Sequence, residues 1–300
     1  MGRFKEKVTD NDYKIDTYYG IEPTVPIDHM VVSKTPPILE LSKEKLTLMS
    51  LKLFDIYLGR INPTDSRITK VVFTKDDLCK VLGAEKINNK HLLQCLDGLM
   101  NAKISIACSG DGKSQIEKFH LLSYAKLTYE NEYYMGVPAV ELECSEAAKA
   151  YIYNLETVGF LKANLSTLLS FESKNAYFLY QYIKQTADRR QYSSNPNIRN
   201  NLKWTVDIDT LKMCLGIVDK YKDIKDFEKW VLLPSLKEIE EKTDLRYTYK
   251  KIRVGRRIQK IEFQVFEFGF EVVLKDNKPK GIPEHAYYNE EMDEWDLPFN

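Results

Sequence analysis

Apolar residues recur at spacings of three and four, then of two, in an order that appears twice along the chain. Leu46, Met49, Leu53, Ile56, Tyr57 and Ile61 predict an amphipathic helix that stops at Asn62-Pro63. Val71-Val72-Phe73 predicts a short strand. Thr74 then reads as an N-cap with Asp76 and Asp77 in the first helical turn, where the helix dipole favours acids, and this second helix closes at Leu82-Gly83. A third helix, Asn88 to Met100, turns Leu92, Leu93, Leu96 and Leu99 inward. Short helix, turn, longer helix is the helix-turn-helix order. Ile104 to Ala107 and Ile116 to Leu122 flank Ser109-Gly110-Asp111-Gly112, whose residues suit the positive φ of a hairpin, so this half ends in a wing. Further strands are expected near Lys126 to Tyr129 and Val140 to Cys144, then a connecting helix from Ser145 to Glu156 and a link from Phe160 to Phe171.

The second pass begins with an amphipathic helix from Ser173 to Ala187, followed by a polar stretch, Asp188 to Asn201, that reads as an exposed loop. Trp204 to Ile208 predicts the strand, Thr210 to Gly216 the second helix and Phe227 to Lys242 the third. Two alternating strands around Val254-Gly255-Arg256-Arg257 form the wing. Leu78-x-x-x-Leu82-Gly83 recurs as Leu211-x-x-x-Leu215-Gly216, 133 residues later. The expected fold is α+β, with two tandem winged-helix domains at 38–157 and 158–274. A flexible N-terminal arm (1–37) with four prolines precedes them, and an acidic tail (275–300) follows.

Charge changes the picture through its distribution. Lys plus Arg and Asp plus Glu both total 44, yet residues 174–262 hold 20 bases against 12 acids, and residues 284–300 hold six acids and no Lys or Arg. From Arg246 to Lys260 there are seven bases and no acid. Such a stretch on a hairpin suits duplex phosphates. Five scattered cysteines without a C-x-x-C pair point to neither a disulfide framework nor a zinc site, and no apolar run approaches membrane length. A cytoplasmic protein without a membrane partner is the expectation.

Two enzyme readings fall away on the residues. Ala107 to Ser114 satisfies a relaxed phosphate-loop pattern, but Ser114 to Leu122 reads as a return strand where such a loop needs a helix. A nicking enzyme would need paired metal-binding histidines, and the four here (His29, His91, His120, His285) are far apart. No catalytic residue, cofactor or metal is expected.

Phe171 to Tyr180, Trp204-Thr205-Val206 with Leu211 to Gly216, Val231 to Ile239, Thr243-Asp244-Leu245 and Gly255-Arg256-Arg257 with Ile261-x-Phe263 together resemble the iteron-binding initiator proteins of theta-replicating plasmids. The first domain, with its Leu53-Phe54-Asp55 helix, is similar to that family's N-terminal winged helix, so the resemblance runs from about Val31 to Phe270. It implies binding of double-stranded origin DNA at direct repeats, local melting, recruitment of host helicase or other replisome proteins, and a homodimer that represses its own gene. A winged-helix transcriptional repressor without initiator activity is the alternative.

Strand alternation assigns Ile252, Val254, Ile258, Ile261 and Phe263 to the core and Lys250, Lys251, Arg253, Arg256, Arg257 and Lys260 to phosphate. On the third helix of the second domain Val231, Ser235, Leu236 and Ile239 point inward, and Lys229, Leu233 and Lys237 form the opposite, DNA-facing side. Glu228 and Trp230 stand where family members commonly carry bases, and Glu238, Glu240 and Glu241 are expected to face away from DNA. In the first domain Lys86, Asn88, Asn89, Lys90, His91 and Gln94 surround the recognition-helix start; Asn and Gln suit adenine edges, and His91 by itself carries no role. In the tail, the acids before Trp295, Asp296, Leu297, Pro298 and Phe299 resemble the acidic tip of bacterial single-stranded-DNA-binding proteins, which implies a replication partner. Asn300 departs from that pattern.

Overall fold

The computed structural model describes residues 30–266, apart from 40, 42–45, 63–65, 68, 111–112, 130–136, 154, 156–159, 200 and 256, together with 287–289 and 294–296. Two winged helices follow one another, and their buried apolar residues make one continuous core.

The first unit opens with β1 (Val31–Lys34) and α1 (Pro36–Leu39), and its central element is α2 (Leu48–Arg60). Thr47 caps α2, its hydroxyl accepting from the Ser50 N–H at 3.0 Å. Every residue from Leu53 to Arg60 is buried, so α2 is packed all round rather than on one stripe. The Tyr57 hydroxyl ties it to the sheet, donating to the Thr69 carbonyl at 2.6 Å and accepting from the Cys144 N–H at 3.2 Å. Then come β2 (Lys70–Thr74), α3 (Lys75–Val81), α4 (Asn89–Met100), β3 (Lys103–Gly110), β4 (Lys113–His120), β5 (Leu122–Thr128), β6 (Ala139–Cys144) and α5 (Glu146–Ile152). On α4 the buried set is Leu92, Cys95, Leu96 and Leu99; Leu93, expected inward, is 42% exposed because one position of rotation puts it on the far side of the stripe.

After β7 (Leu161–Asn164) and α6 (Leu165–Ser170), which pair with β1 and pack on α2, the second unit is formed by α7 (Lys174–Gln191), α8 (Pro196–Arg199), β8 (Lys203–Asp207) and α9 (Ile208–Leu215). After these come α10 (Ile224–Phe227), a π turn (Glu228–Leu232), α11 (Leu233–Lys242), β9 (Arg246–Val254) and β10 (Arg257–Phe266). Two short antiparallel strands, β11 (Tyr287–Asn289) and β12 (Glu294–Asp296), lie in the tail. The repeated Leu-Gly pairs do the same job twice: Gly83 and Gly216 end their helices at φ 62° and 69°, the left-handed region that a Cβ disfavours.

Three further expectations change. β1 falls within the expected arm, where it pairs antiparallel with β7 and is covered by the core. Its four residues are too few to show a period, and its partner lies some 130 residues away. The polar stretch from Asp188 is still helix as far as Gln191, since it contains no Gly or Pro until Pro196 and a Lys184–Asp188 pair at 3.4 Å supports the last turns. The third concerns the first wing. The second unit's sheet runs β8-β10-β9 and the first unit's β2-β6-β5, so β5–β6 is the counterpart of the β9–β10 wing. The β3–β4 hairpin is an addition with its own two-stranded ladder. Burial explains the choice: Val140, Leu142 and Cys144 alternate inward against Val71 and Phe73.

Candidate nucleic-acid interface

The third helix of the second unit is not a regular α-helix. Pro234 has no N–H to give, and its ring would clash with the carbonyl four residues back. The chain answers with the π turn just before it, in which the Leu233 N–H reaches the carbonyl of Glu228, five residues earlier. The inward side holds Phe227, Val231, Leu232, Ser235, Leu236 and Ile239. The outward side presents Lys229, Trp230, Leu233 and Lys237. Trp230 is 59% exposed and Leu233 46%, and the Lys229 ammonium lies 4.5 Å from the Trp230 ring centroid. An exposed indole under a cation offers a base or sugar an apolar face while the ammonium reaches phosphate. Trp230 was not among the DNA-facing positions expected from the sequence; an aromatic between outward-facing lysines was the available signal.

Three of the acids around this helix have partners. Glu228 is held by Lys251 of the wing at 2.8 and 3.0 Å. Glu238 caps the next helix over, accepting from the Glu172 and Ser173 N–H groups at the start of α7, with Lys242 at 3.4 Å. Its charge therefore serves the α7 terminus. Glu241 lies 3.6 Å from Lys237, an exposed pair of little energetic weight.

The wing is the β9–β10 hairpin, whose tip carries Gly255 at φ 63°. Ile261, Phe263 and Val265 are buried and stand opposite Lys251, Tyr249 and Tyr247, so these three β9 residues share the core-side face. The Tyr247 hydroxyl donates to the Leu236 carbonyl at 2.7 Å and locks the wing to α11, and burial pushes its pKa up. Lys250, Arg253 and Arg257 are exposed around the tip. Lys251 and Lys260, both expected at phosphate, are engaged with Glu228 and, at 3.2 Å, with Asp207. Val254, expected in the core, is 45% exposed because the hairpin outruns the helix beneath it, and Ile252 is half-buried. Arg256 lies outside the described residues.

In the first unit Asn88 is occupied as the N-cap of α4, its side-chain oxygen accepting from the Lys90 N–H at 2.8 Å. Asn89 accepts from the ammonium of Lys75 at 2.6 Å, a residue of α3 that the sequence pattern did not single out. Lys75, Lys86, Ile87, Asn88 and Asn89 line an open cavity of about 480 Å³ at the start of α4. Lys86, Lys90, His91 and Gln94 are exposed beside it. In the tail, Trp295 and Asp296 belong to β12, and Leu297, Pro298 and Phe299 lie outside the described residues.

The described residues of the segment with the phosphate-loop pattern belong to strands β3 and β4, where a phosphate loop needs a helix start. Among the described residues no group of three or more His, Cys, Asp or Glu is placed to hold a metal ion, and no helix is long and apolar enough to cross a membrane.

Comparison with known proteins gives two winged-helix domains, the first matched as far as residue 184, within α7. Residues 32–184 match a family model described as "Initiator Replication protein, WH1", and residues 207–265 one described as "Initiator Rep protein, WH2". A "Replication initiation protein" of Escherichia coli is 25% identical over 233 residues, covering 76% of this chain and 67% of that protein. Among solved structures, "Crystal structure of Pi initiator protein in complex with iteron DNA" superposes with a TM-score of 0.58 at 20% identity, over 79% of this chain and 97% of that one.

Proposed function

Because the chain belongs to the initiator replication protein family, whose first-domain model spans residues 32–184, we propose that it binds direct repeats in double-stranded DNA at a plasmid origin. The observation that carries this reading is the pairing, in one chain, of two winged helices that differ in their exposed residues. Two different readers on successive major grooves, about one helical turn apart, recognise an asymmetric site, which repeats naturally in one orientation. The iteron DNA named for the Pi structure supports the same mode.

In this proposal Lys229, Trp230, Leu233 and Lys237 enter the groove and Lys250, Arg253, Arg256 and Arg257 grip phosphate, with Lys251 and Lys260 contributing less while tied to their acids. Lys75, Lys86, Asn89, Lys90 and Gln94 serve the first half-site, and Asn88 serves chiefly as a cap. The protein melts the DNA beside its repeats and recruits host helicase or other replisome proteins, and a homodimer represses its gene. It works in the cytoplasm by binding rather than by catalysis. Footprinting on the DNA flanking its own gene should show tandem protected repeats, with permanganate-reactive thymines next to them. Protection without reactive thymines favours the transcriptional repressor.

The tail, with Trp295, Asp296, Leu297, Pro298 and Phe299, is proposed as the contact for a host replication protein. Removing Glu290–Asn300 should then lower plasmid copy number while DNA binding stays intact, and an unchanged copy number removes that role.

A further inference from the structure

A buried polar cluster sits where the two winged helices meet. Lys34 comes from β1, Asp55 from the centre of α2, and Tyr177 and Gln181 from α7. The Lys34 ammonium forms an ion pair with Asp55 Oδ1 at 2.5 Å and donates to the Tyr177 hydroxyl at 2.6 Å and to Gln181 Oε1 at 2.9 Å. The Tyr177 hydroxyl in turn donates to Asp55 Oδ2 at 2.6 Å, and Gln181 Nε2 donates to the Tyr177 carbonyl at 3.1 Å. The side chains of Lys34 and Asp55 are 6% and 0% exposed. Burial pushes Asp55 up and Lys34 down from their ordinary pKa values, and the attraction between the two opposes both shifts.

The elements on either side belong to different readers. α2 packs on β1 and α4 of the first unit, whereas α7 packs on α9 and α11 of the second and takes its N-terminal cap from Glu238. Apolar packing surrounds the cluster: Phe54, Leu165, Phe171, Phe178 and Tyr180 are buried nearby in the same core. Adhesion between the units does not need ions, and a buried ion pair seldom holds better than apolar groups of the same volume. What the cluster adds is direction. An ion pair and four directional hydrogen bonds among these side chains favour one arrangement, while apolar surfaces can slide and repack.

We infer that Lys34, Asp55, Tyr177 and Gln181 are positioning residues that set the angle and spacing of the two winged helices, and so the base-pair separation of the two halves of the DNA site. The inference rests on the two-reader mode proposed above. One inserted base pair turns the second half-site by about 34° around the duplex axis and moves it along by roughly 3.4 Å. A rigid joint fails to follow that displacement, and a loosened joint follows it.

The test compares the wild type with a variant carrying Lys34→Met, Asp55→Leu, Tyr177→Phe and Gln181→Met, which keeps volume and removes the polar network. The probes are duplexes bearing the footprinted repeat at native spacing, the same repeat with two base pairs inserted between its protected halves, and each half alone. The wild type should lose about 100-fold in affinity on insertion, because its second reader can no longer engage. The variant should lose less than about tenfold, with binding to each half unchanged. Should the variant fail to fold by circular dichroism, Asp55→Asn is read on the same probes and should show the same loss of spacing selectivity. Wild-type binding that gains nothing from the second half overturns the two-reader mode. Sharp spacing selectivity in the wild type that survives intact in the folded variant, or in Asp55→Asn, overturns the positioning role alone.

Discussion

Reversing Arg253 and Arg257 to Glu should lower affinity for every duplex sequence by about two to three orders of magnitude near physiological salt and make the log–log salt dependence shallower by about two units. Both arginines are exposed, and neither has an acidic partner within ion-pair distance among the described residues. They stand at the wing tip, where Arg257 pairs with Val254 and Ile258 with Arg253 across the ladder. A guanidinium there is free to release a counterion from phosphate, whereas Lys251 and Lys260 must first give up Glu228 and Asp207. Lys251→Glu should therefore weaken binding less than either arginine change. Salt titrations by fluorescence anisotropy measure both quantities, and the unfolding midpoint should hold because exposed sites away from packing shift stability little. A variant that keeps the wild-type salt slope means the wing does not contact phosphate.

Phe263→Ala should cost about 3–5 kcal/mol, a large share of the roughly 5–15 kcal/mol available to a folded domain. The ring is fully buried, 5.8 Å from the Trp204 ring centroid and 6.5 Å from that of Tyr182, and it joins the wing to β8 and α7 at once. Its removal leaves a cavity that these neighbours cannot fill without leaving their own partners. Urea unfolding followed by tryptophan fluorescence should show the shift, and DNA binding should fall with it because the wing loses its seat. A loss below about 1 kcal/mol would show that the strand is seated by its hydrogen bonds instead.

Much of the fold could be read locally. The helix from Asn89 and the strands at Val71–Phe73 and Val140–Cys144 carry their period within a few residues, and Thr74, Gly83 and Gly216 mark helix ends through backbone chemistry that needs no distant partner. The interface was legible only in outline. A run of bases near Arg253 announces a cationic wing, yet nothing local shows that Lys251 pairs with Glu228, because strand register depends on which residue lies opposite. The π turn had a visible cause in Pro234; its effect on the aim of Trp230 did not.

Sequence alone determined that this is a pair of winged helices with one basic hairpin, since helix and strand periods, caps and charge runs are properties of neighbouring residues. Only the tertiary structure decided which strands make the first wing, which lysines remain available, and what Lys34 and Asp55 do. Lys34 fell within the expected arm and Asp55 within the first predicted helix. Burying either by itself is prohibitive. They become intelligible together, because folding brings β1, α2 and α7 to one point, and that contact is set by the whole chain's packing rather than by any stretch of it.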